Sequence, residues 1–139
     1  MAITQGMCSS FKEQLLKGEH DFDVDTFKIA LYTSSATLSA ATTVYSVSNE
    51  VAGSGYSAGG NTLSGTTVTL SGTTAFVTFS DTTWLTSTIT ARGALVYNSS
   101  KSNKAVAVLD FGTDKTSTSG SFTIQFPANT STTALIRIA

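Results

Sequence analysis

Phe27-Lys28-Ile29-Ala30-Leu31-Tyr32 decides the fold class. Phe27, Ile29 and Leu31 alternate with Lys28, Ala30 and Tyr32, and a period of two puts successive side chains on opposite faces of a strand. From here to the C-terminus the period stays at two. Further strands are expected at 66–70, 75–80, 88–98, 104–111, 121–126 and 134–139. In AVAVLDFG, residues 105–112, both faces around Val106 and Val108 are apolar, which predicts a central strand covered on both sides. Phe122, Ile124 and Phe126 alternate strictly, which suits a sheet with one wet face. The connections SG, NSSKSN and DKTSTSG read as polar turns, too short for crossover helices, so the strands should run mainly antiparallel. Pro127 directly follows the FTIQF strand, where its missing N–H does least harm. The tetrad SGTT at Ser64 and again at Ser71 reads as one polar hairpin rather than a repeat array.

Upstream of the hexapeptide lies the single segment with a period near 3.6. Met7, Phe11 and Leu15 fall four apart on one stripe, Leu16 widens it, and Gly18 suits the stop, which predicts a helix over 7–18. Ser10-Phe11-Lys12-Glu13 matches a capping box, with Ser10 expected to cap and Glu13 to reach back. A helix of two to three turns is too short to stand alone, so it must pack on the sheets. The expected fold is therefore all-β, a mainly antiparallel β-sandwich or small barrel with one short N-terminal helix. The 139 residues suit one domain over 1–139, helix first and β domain over 19–139.

Composition narrows the function. Charged residues are 12% of the chain, about half the usual share, while 25 Thr and 20 Ser make a hydrated but nearly uncharged surface. The net charge of −1 comes with no basic cluster, so no nucleic-acid partner is expected. The N-terminal stretch MAITQGMCSS lacks a basic n-region and an apolar run, and no segment approaches the ~20 apolar residues that span a bilayer. No membrane partner is expected. Cys8 is the only cysteine and reads as a small apolar residue ahead of the helix, with no disulfide implied.

Several stretches resemble chemical motifs, and each has a plainer reading. Gly53 to Gly60, GSGYSAGG, matches both G-x-S-x-G and G-x-G-x-x-A, yet neither a helical pattern nor a βαβ unit follows, so a loop or bulge is expected. Asp21, Asp23 and Asp25 alternate along HDFDVDTF. An EF-hand would need glycine and glutamate where Thr26 and Tyr32 stand, so the three carboxylates read as the solvated face of an extended segment. His20 beside Asp21 could be half of an acid–base pair, but there is no second histidine and no Cys/His cluster for a triad or a zinc site. Glu50, Asp81 and Asp110 near strand ends could only act as paired carboxylates if they converged. Trp84 reads as a core anchor; a sugar-stacking platform with Tyr32, Tyr45, Tyr56 and Tyr97 would require Trp84 and Tyr56 to be exposed on a common concave face. Asn98-Ser99-Ser100 and Asn129-Thr130-Ser131 match the glycosylation pattern and read as turn residues. No catalytic residue, metal ligand or cofactor is assigned.

The order of the pieces resembles a group of small tailed-bacteriophage virion proteins. Members are similar in a short N-terminal helix, an FKIALYT-like strand and a loop with glutamate followed by glycines and tyrosine, here NEVAGSGYSAGG. They continue with a Trp-containing segment, here DTTWLTSTITARGALVYN, a strand like AVAVLDFG, a turn like DKTSTSGS and a strand like FTIQFPA. Where members carry an arginine soon after the tyrosine, this chain has Ser57-Ala58-Gly59-Gly60. The resemblance implies a non-enzymatic particle component located in the virion and assembled in the host cytoplasm. It also implies that Glu50, Gly55 and Tyr56 occupy a signature loop, which makes them partner-contact candidates. A capsid decoration or cement protein on the outside of the shell is the expected role, with the major capsid protein or other virion proteins as partners. A tail, baseplate or fibre-associated subunit and a carbohydrate-binding β-sandwich module are the alternatives. A homo-oligomer, a trimer or a dimer, is expected, because ALIRIA ends the chain as an apolar strand whose free edge would invite pairing, though burial in its own sheet would satisfy the same strand.

Overall fold

The structure, a computed structural model, describes residues 2–139. Its elements are β1 (Gly6–Met7), α1 (Ser9–Leu16), β2 (Phe27–Tyr32), β3 (Asn61–Thr62), β4 (Thr67–Ser71), β5 (Thr74–Thr78), β6 (Thr82–Asn98), β7 (Lys104–Ile124) and β8 (Ile136–Ile138), with a 3-10 turn at Ser99–Lys101. They form two antiparallel sheets, one ordered β1-β7-β6-β2-β3 and one ordered β4-β5-β8. The all-β, sandwich-like expectation holds, and the barrel alternative does not, because the sheets stay open.

The FKIALY hexapeptide pairs along its whole length with the end of β6, from Phe27 opposite Asn98 to Tyr32 opposite Gly93. Ala105 to Val108 are buried on both faces, as their apolar pattern predicts, and α1 supplies one of the covers. The aromatic core runs as a chain from the helix to the smaller sheet. Phe22 stacks on Phe27 at 4.5 Å, Phe27 meets Phe79 at 5.8 Å, and Phe79 meets Phe126 at 5.9 Å. Offset and tilted ring pairs of this kind add to the burial of their area. The second SGTT tetrad makes the β4–β5 turn, where Ser71 faces Thr74 and Gly72 has the positive φ of 61° that tight hairpin turns need.

Several local expectations are corrected. The helix spans Ser9–Leu16 rather than 7–18, and Met7 belongs to β1. Its N-cap is Cys8, without a side-chain cap, and Ser10 Oγ is buried with no partner, so the capping box does not form. Tertiary backbone bonds set the start instead: Cys8 N–H donates to the Val106 carbonyl at 2.9 Å and Ser9 N–H to the Ala40 carbonyl at 2.8 Å. Glu13 accepts from Lys17 one turn on. Leu16 lies outside the buried stripe, 92% exposed. Gly18 does end the helix, at φ 71°, with Glu19 N–H returning to the Gln14 carbonyl.

The segments 104–111 and 121–126 are one strand, and DKTSTSG is its middle rather than a turn. Likewise 88–98 extends back to Thr82 and takes in Trp84. Threonine and serine here form cross-strand hydroxyl pairs: Thr90 with Thr116 at 3.0 Å, Thr83 with Thr123 at 2.9 Å and Ser87 with Ser117 at 2.8 Å. Threonine is a strand former, so a polar run beside a matching polar run makes a ribbon. Register shifts at four places and positive φ at Thr86 and Ser119 bend it. Finally, 21–25 is a turn and not an extended segment: Asp25 N–H donates to the Asp21 carbonyl, and Asp25 itself turns inward.

Candidate functional site

The loop that carries Glu50, Gly55 and Tyr56 begins where Asn49, at φ 61°, turns the chain back along β2. Thr33 N–H donates to the Asn49 carbonyl at 3.0 Å and Val51 N–H to the Leu31 carbonyl at 2.9 Å, so Glu50 is placed opposite Tyr32 as a short edge pairing. Its carboxylate is then surrounded. Tyr45 Oη donates to Oε1 at 2.7 Å, while Tyr56 Oη at 2.5 Å and Gly59 N–H at 2.8 Å donate to Oε2. Tyr56 Oη in turn accepts from Leu31 N–H at 2.8 Å, which ties the loop to β2. Tyr97 closes the group, stacking on Tyr45 at 4.7 Å and donating to the Gly59 carbonyl at 2.6 Å. Tyr32 lies beside it and donates to the Ser46 carbonyl at 2.7 Å.

All four tyrosines of the protein thus gather near one carboxylate. Burial, and then the nearby Glu50, raises each phenol; Tyr97 is pushed up to about 12 and the other three go higher. They stay neutral donors at any physiological pH, the state that a carboxylate with two phenol partners requires.

Two glycines make this loop possible. Gly55, at φ 82°, lies so close to β6 that a Cβ would come within 2.8 Å of Ser87 Cα, and Gly60, at φ 76°, rests on the Ile29 carbonyl where a Cβ would overlap it. Both positions combine left-handed backbone with close approach, which only glycine tolerates without strain. Glu50 and Tyr56, the expected contact residues, therefore direct their polar atoms inward, and Gly55 lies on the exposed crest of the loop with Ser54, Ser57 and Ala58.

A second polar cluster sits at the other end of β2. Asn98, fully buried, donates through Nδ2 to Asp25 Oδ2 at 2.8 Å and lies 3.0 Å from His20 Nδ1. His20 Nε2 meets Gln14 Oε1 at 2.8 Å, and Lys101 Nζ reaches both Asp25 oxygens at 2.9 Å. Burial, with the Lys104 charge, lowers the His20 pKa, which suits a neutral ring accepting at Nδ1 and donating at Nε2. Burial opposes ionisation of Asp25, but hydrogen bonds from Asn98, the Asp21 N–H and Lys101 outweigh it and bring its pKa down to about 2. His20 is thus held by two amides, and Asn98 stands between it and the nearest carboxylate in the cluster.

The remaining candidates are dispersed. Asp81 Oδ1 accepts from Phe126 N–H at 2.9 Å, and Asp110 Oδ1 accepts from Gly112 N–H at 2.9 Å and faces Arg92. Trp84 is 4% exposed, packed between Tyr56 at 5.8 Å and Phe122 at 6.2 Å, so it is the core anchor its context predicts. A cleft of about 790 Å³ opens between β7 and β8, lined by Phe111, Phe122, Phe126 and Ile136 with Asp110, Lys115 and Arg137 at its polar positions. Neither Trp84 nor Tyr56 lines it, so the platform that sugar stacking needs is not assembled from those two. Cys8 is buried and its thiol is pushed up to about 11 by that burial. Among the described residues no group of three His, Cys, Asp or Glu side chains could hold a metal ion, and no helix is long and apolar enough to cross a membrane.

Sequence reasoning missed Asn98 as a site residue, and it took Tyr45 and Tyr97 only as rings of a stacking platform, not as partners of the Glu50 loop. Asn98 read as a turn residue in a glycosylation-like triplet, and nothing local marks it as buried; for the tyrosines, a tally of hydroxyl-bearing rings around a lone glutamate was the available signal. Comparison with protein-family models, curated proteins and solved structures finds no match for this chain.

Proposed function

We propose that this chain is a non-enzymatic structural protein of a bacteriophage virion, a decoration subunit that binds the outside of the capsid shell and works as a homo-oligomer. The observation that carries the reading is where charge is placed. Glu50, Asp25 and His20 are bonded to internal partners, and the exposed charges, both signs scattered, are few beside the 25 threonines and 20 serines of the chain. Such a surface packs against other proteins without burying unpaired charge, the costly event in assembly. The near full-length resemblance to small virion proteins supports the same reading, and the glutamate, glycine and tyrosine of their loop have an architectural reason here. Glu50 and Tyr56 set the shape of the loop, and its crest at Ser54, Gly55, Ser57 and Ala58 meets the major capsid protein.

A tail or baseplate location is the second reading, favoured by the β6–β7 ribbon of 17 and 21 residues, an element able to reach across a neighbouring subunit. Copy number separates the two, because lattice sites repeat with the shell whereas tail rings are few. Quantitative mass spectrometry of purified particles is expected to give a ratio to major capsid protein within about one order of magnitude of unity, as lattice occupancy requires. Recovery only in an isolated tail fraction, at tens of copies or fewer as tail rings allow, would promote the second reading. Absence from particles would overturn both.

A further inference from the structure

β4 is the outer strand of the three-stranded sheet, and its free edge carries none of the features that protect edges. Lysine, proline, bulges or a covering loop are the usual protection. β4 reads Thr67-Val68-Thr69-Leu70-Ser71, pairs with β5 without a register shift, and lies inside a stretch from Val51 to Ser80 that contains no charged residue.

The side chains on this strand are arranged unusually. Val68 faces Val77 and then Ile136 across the sheet, and Leu70 faces Ala75 and then Ile138. Directly opposed residues point to the same face, so these six side chains form two apolar rows. Val77 and Ile136 are buried in the main core, but the rows run out past it: Val68 is 53% exposed, Leu70 71% and Ile138 52%. β4 overhangs the core with its core-facing side chains uncovered. Exposed apolar surface continuous with a core marks an interaction site.

The backbone adds a register. Ser71 and Thr74 close a two-residue hairpin as its hydrogen-bonded pair, and bonding alternates along an antiparallel ladder, so Val68 and Leu70 turn their N–H and C=O toward the open edge. We propose that β4 pairs antiparallel with β4 of a second copy of this chain about a twofold axis at Thr69, joining two three-stranded sheets into one of six. In that register Val68 bonds to the partner's Leu70 and Leu70 to the partner's Val68. Each row then reads Ile136, Val77, Val68, Leu70, Ala75, Ile138 across both copies, apolar throughout. Centring on Val68 would set Leu70 against Thr66, and centring on Leu70 would set Val68 against Gly72. The absence of charge along the edge selects a second copy, because a like surface meets it without repulsion and a charged partner would find nothing to pair with. This deepens the homo-oligomer part of the proposed function and does not depend on the particle.

Three variants of the chain test it by sedimentation velocity and oxidative cross-linking. Thr69→Cys places two thiols at the axis, within the Cα separation a disulfide spans, and is expected to give a covalent dimer under mild oxidation, whereas Thr67→Cys, facing the partner's Ser71, gives none. Cys8 is fully buried and does not compete. Leu70→Lys, at an exposed position, is expected to weaken dimerisation by about 100-fold or more through two like charges near the axis, with an unchanged circular dichroism spectrum. A wild-type chain that stays monomeric at high concentration overturns both this interface and the homo-oligomer reading. A dimer that survives Leu70→Lys, or that forms while Thr69→Cys fails to cross-link, overturns the interface alone.

Discussion

The loop around Glu50 and the three-stranded sheet treat polarity in opposite ways. At Glu50 a carboxylate is drawn among aromatic rings and given two phenols and a backbone N–H as donors, whereas at β4 a leucine stands 71% exposed. The first arrangement is complete within one chain. The second is incomplete, with backbone edge and apolar rows both left open. Two of its carboxylates, Glu50 and Asp25, tie loops to the strands beside them, while the β4 edge is closed by nothing in the chain itself.

Substitutions should separate the two regions sharply. Glu50→Ala leaves three donors without their acceptor and is expected to cost roughly 3 kcal/mol, read as a lowered midpoint in urea at unchanged slope, because an unmade internal hydrogen bond costs about 1–3 kcal/mol. Glu50→Gln, which keeps one acceptor oxygen, should fall between. If Glu50→Ala melts like the parent chain, the loop is not braced by this carboxylate.

Acid should act on the second polar cluster in two stages. His20 and Asp25 both have pKa values below their ordinary ones in the folded chain, so the unfolded chain binds more protons and stability falls as pH falls. The His20 contribution is present above about 6.5 and is lost on acidification below it; that of Asp25 is present above 3.8 and is lost as pH drops to about 2. Thermal midpoints recorded from pH 7 to pH 2 should decline through both windows, and Asp25→Asn should flatten the lower one. A flat profile would contradict the cluster. Smallest of all, Leu70→Thr should move the stability of the monomer by no more than about 0.5 kcal/mol, as exposed sites usually do. A large loss would mean that the β4 face is already covered within the chain.

Much of the fold was legible from periodicity. FKIALY, AVAVLDF and FTIQF announce strands because their apolar residues alternate or run continuously, and Gly18 announces the end of the helix by its left-handed φ. The polar middle of β7 was not legible, since a Thr/Ser run is turn-like in composition and becomes strand only beside a matching run on β6. The capping box failed because tertiary backbone bonds from Cys8 and Ser9 started the helix earlier. At the site, Glu50, Gly55 and Tyr56 could be picked out as a loop, but their inward direction could not. It depends on Tyr45 and Tyr97 arriving from other segments, one of them from β6, and on Gly60 lying against β2. Asn98 was hidden for the same reason: its partners His20 and Asp25 are 78 and 73 residues away.

The central claim, that a surface rich in neutral hydroxyls and poor in charge carries the proposed assembly, is tested most directly by rebinding. Under the proposed virion role, phage shells lacking this chain would be titrated with the purified protein at ionic strengths from about 0.05 to 1 M, a range over which screening shortens sharply. Saturable binding at shell-repeat stoichiometry, with an affinity that changes little across the range, is the predicted result. Loss of binding at high salt, or no binding to the shell at any salt, would contradict the account.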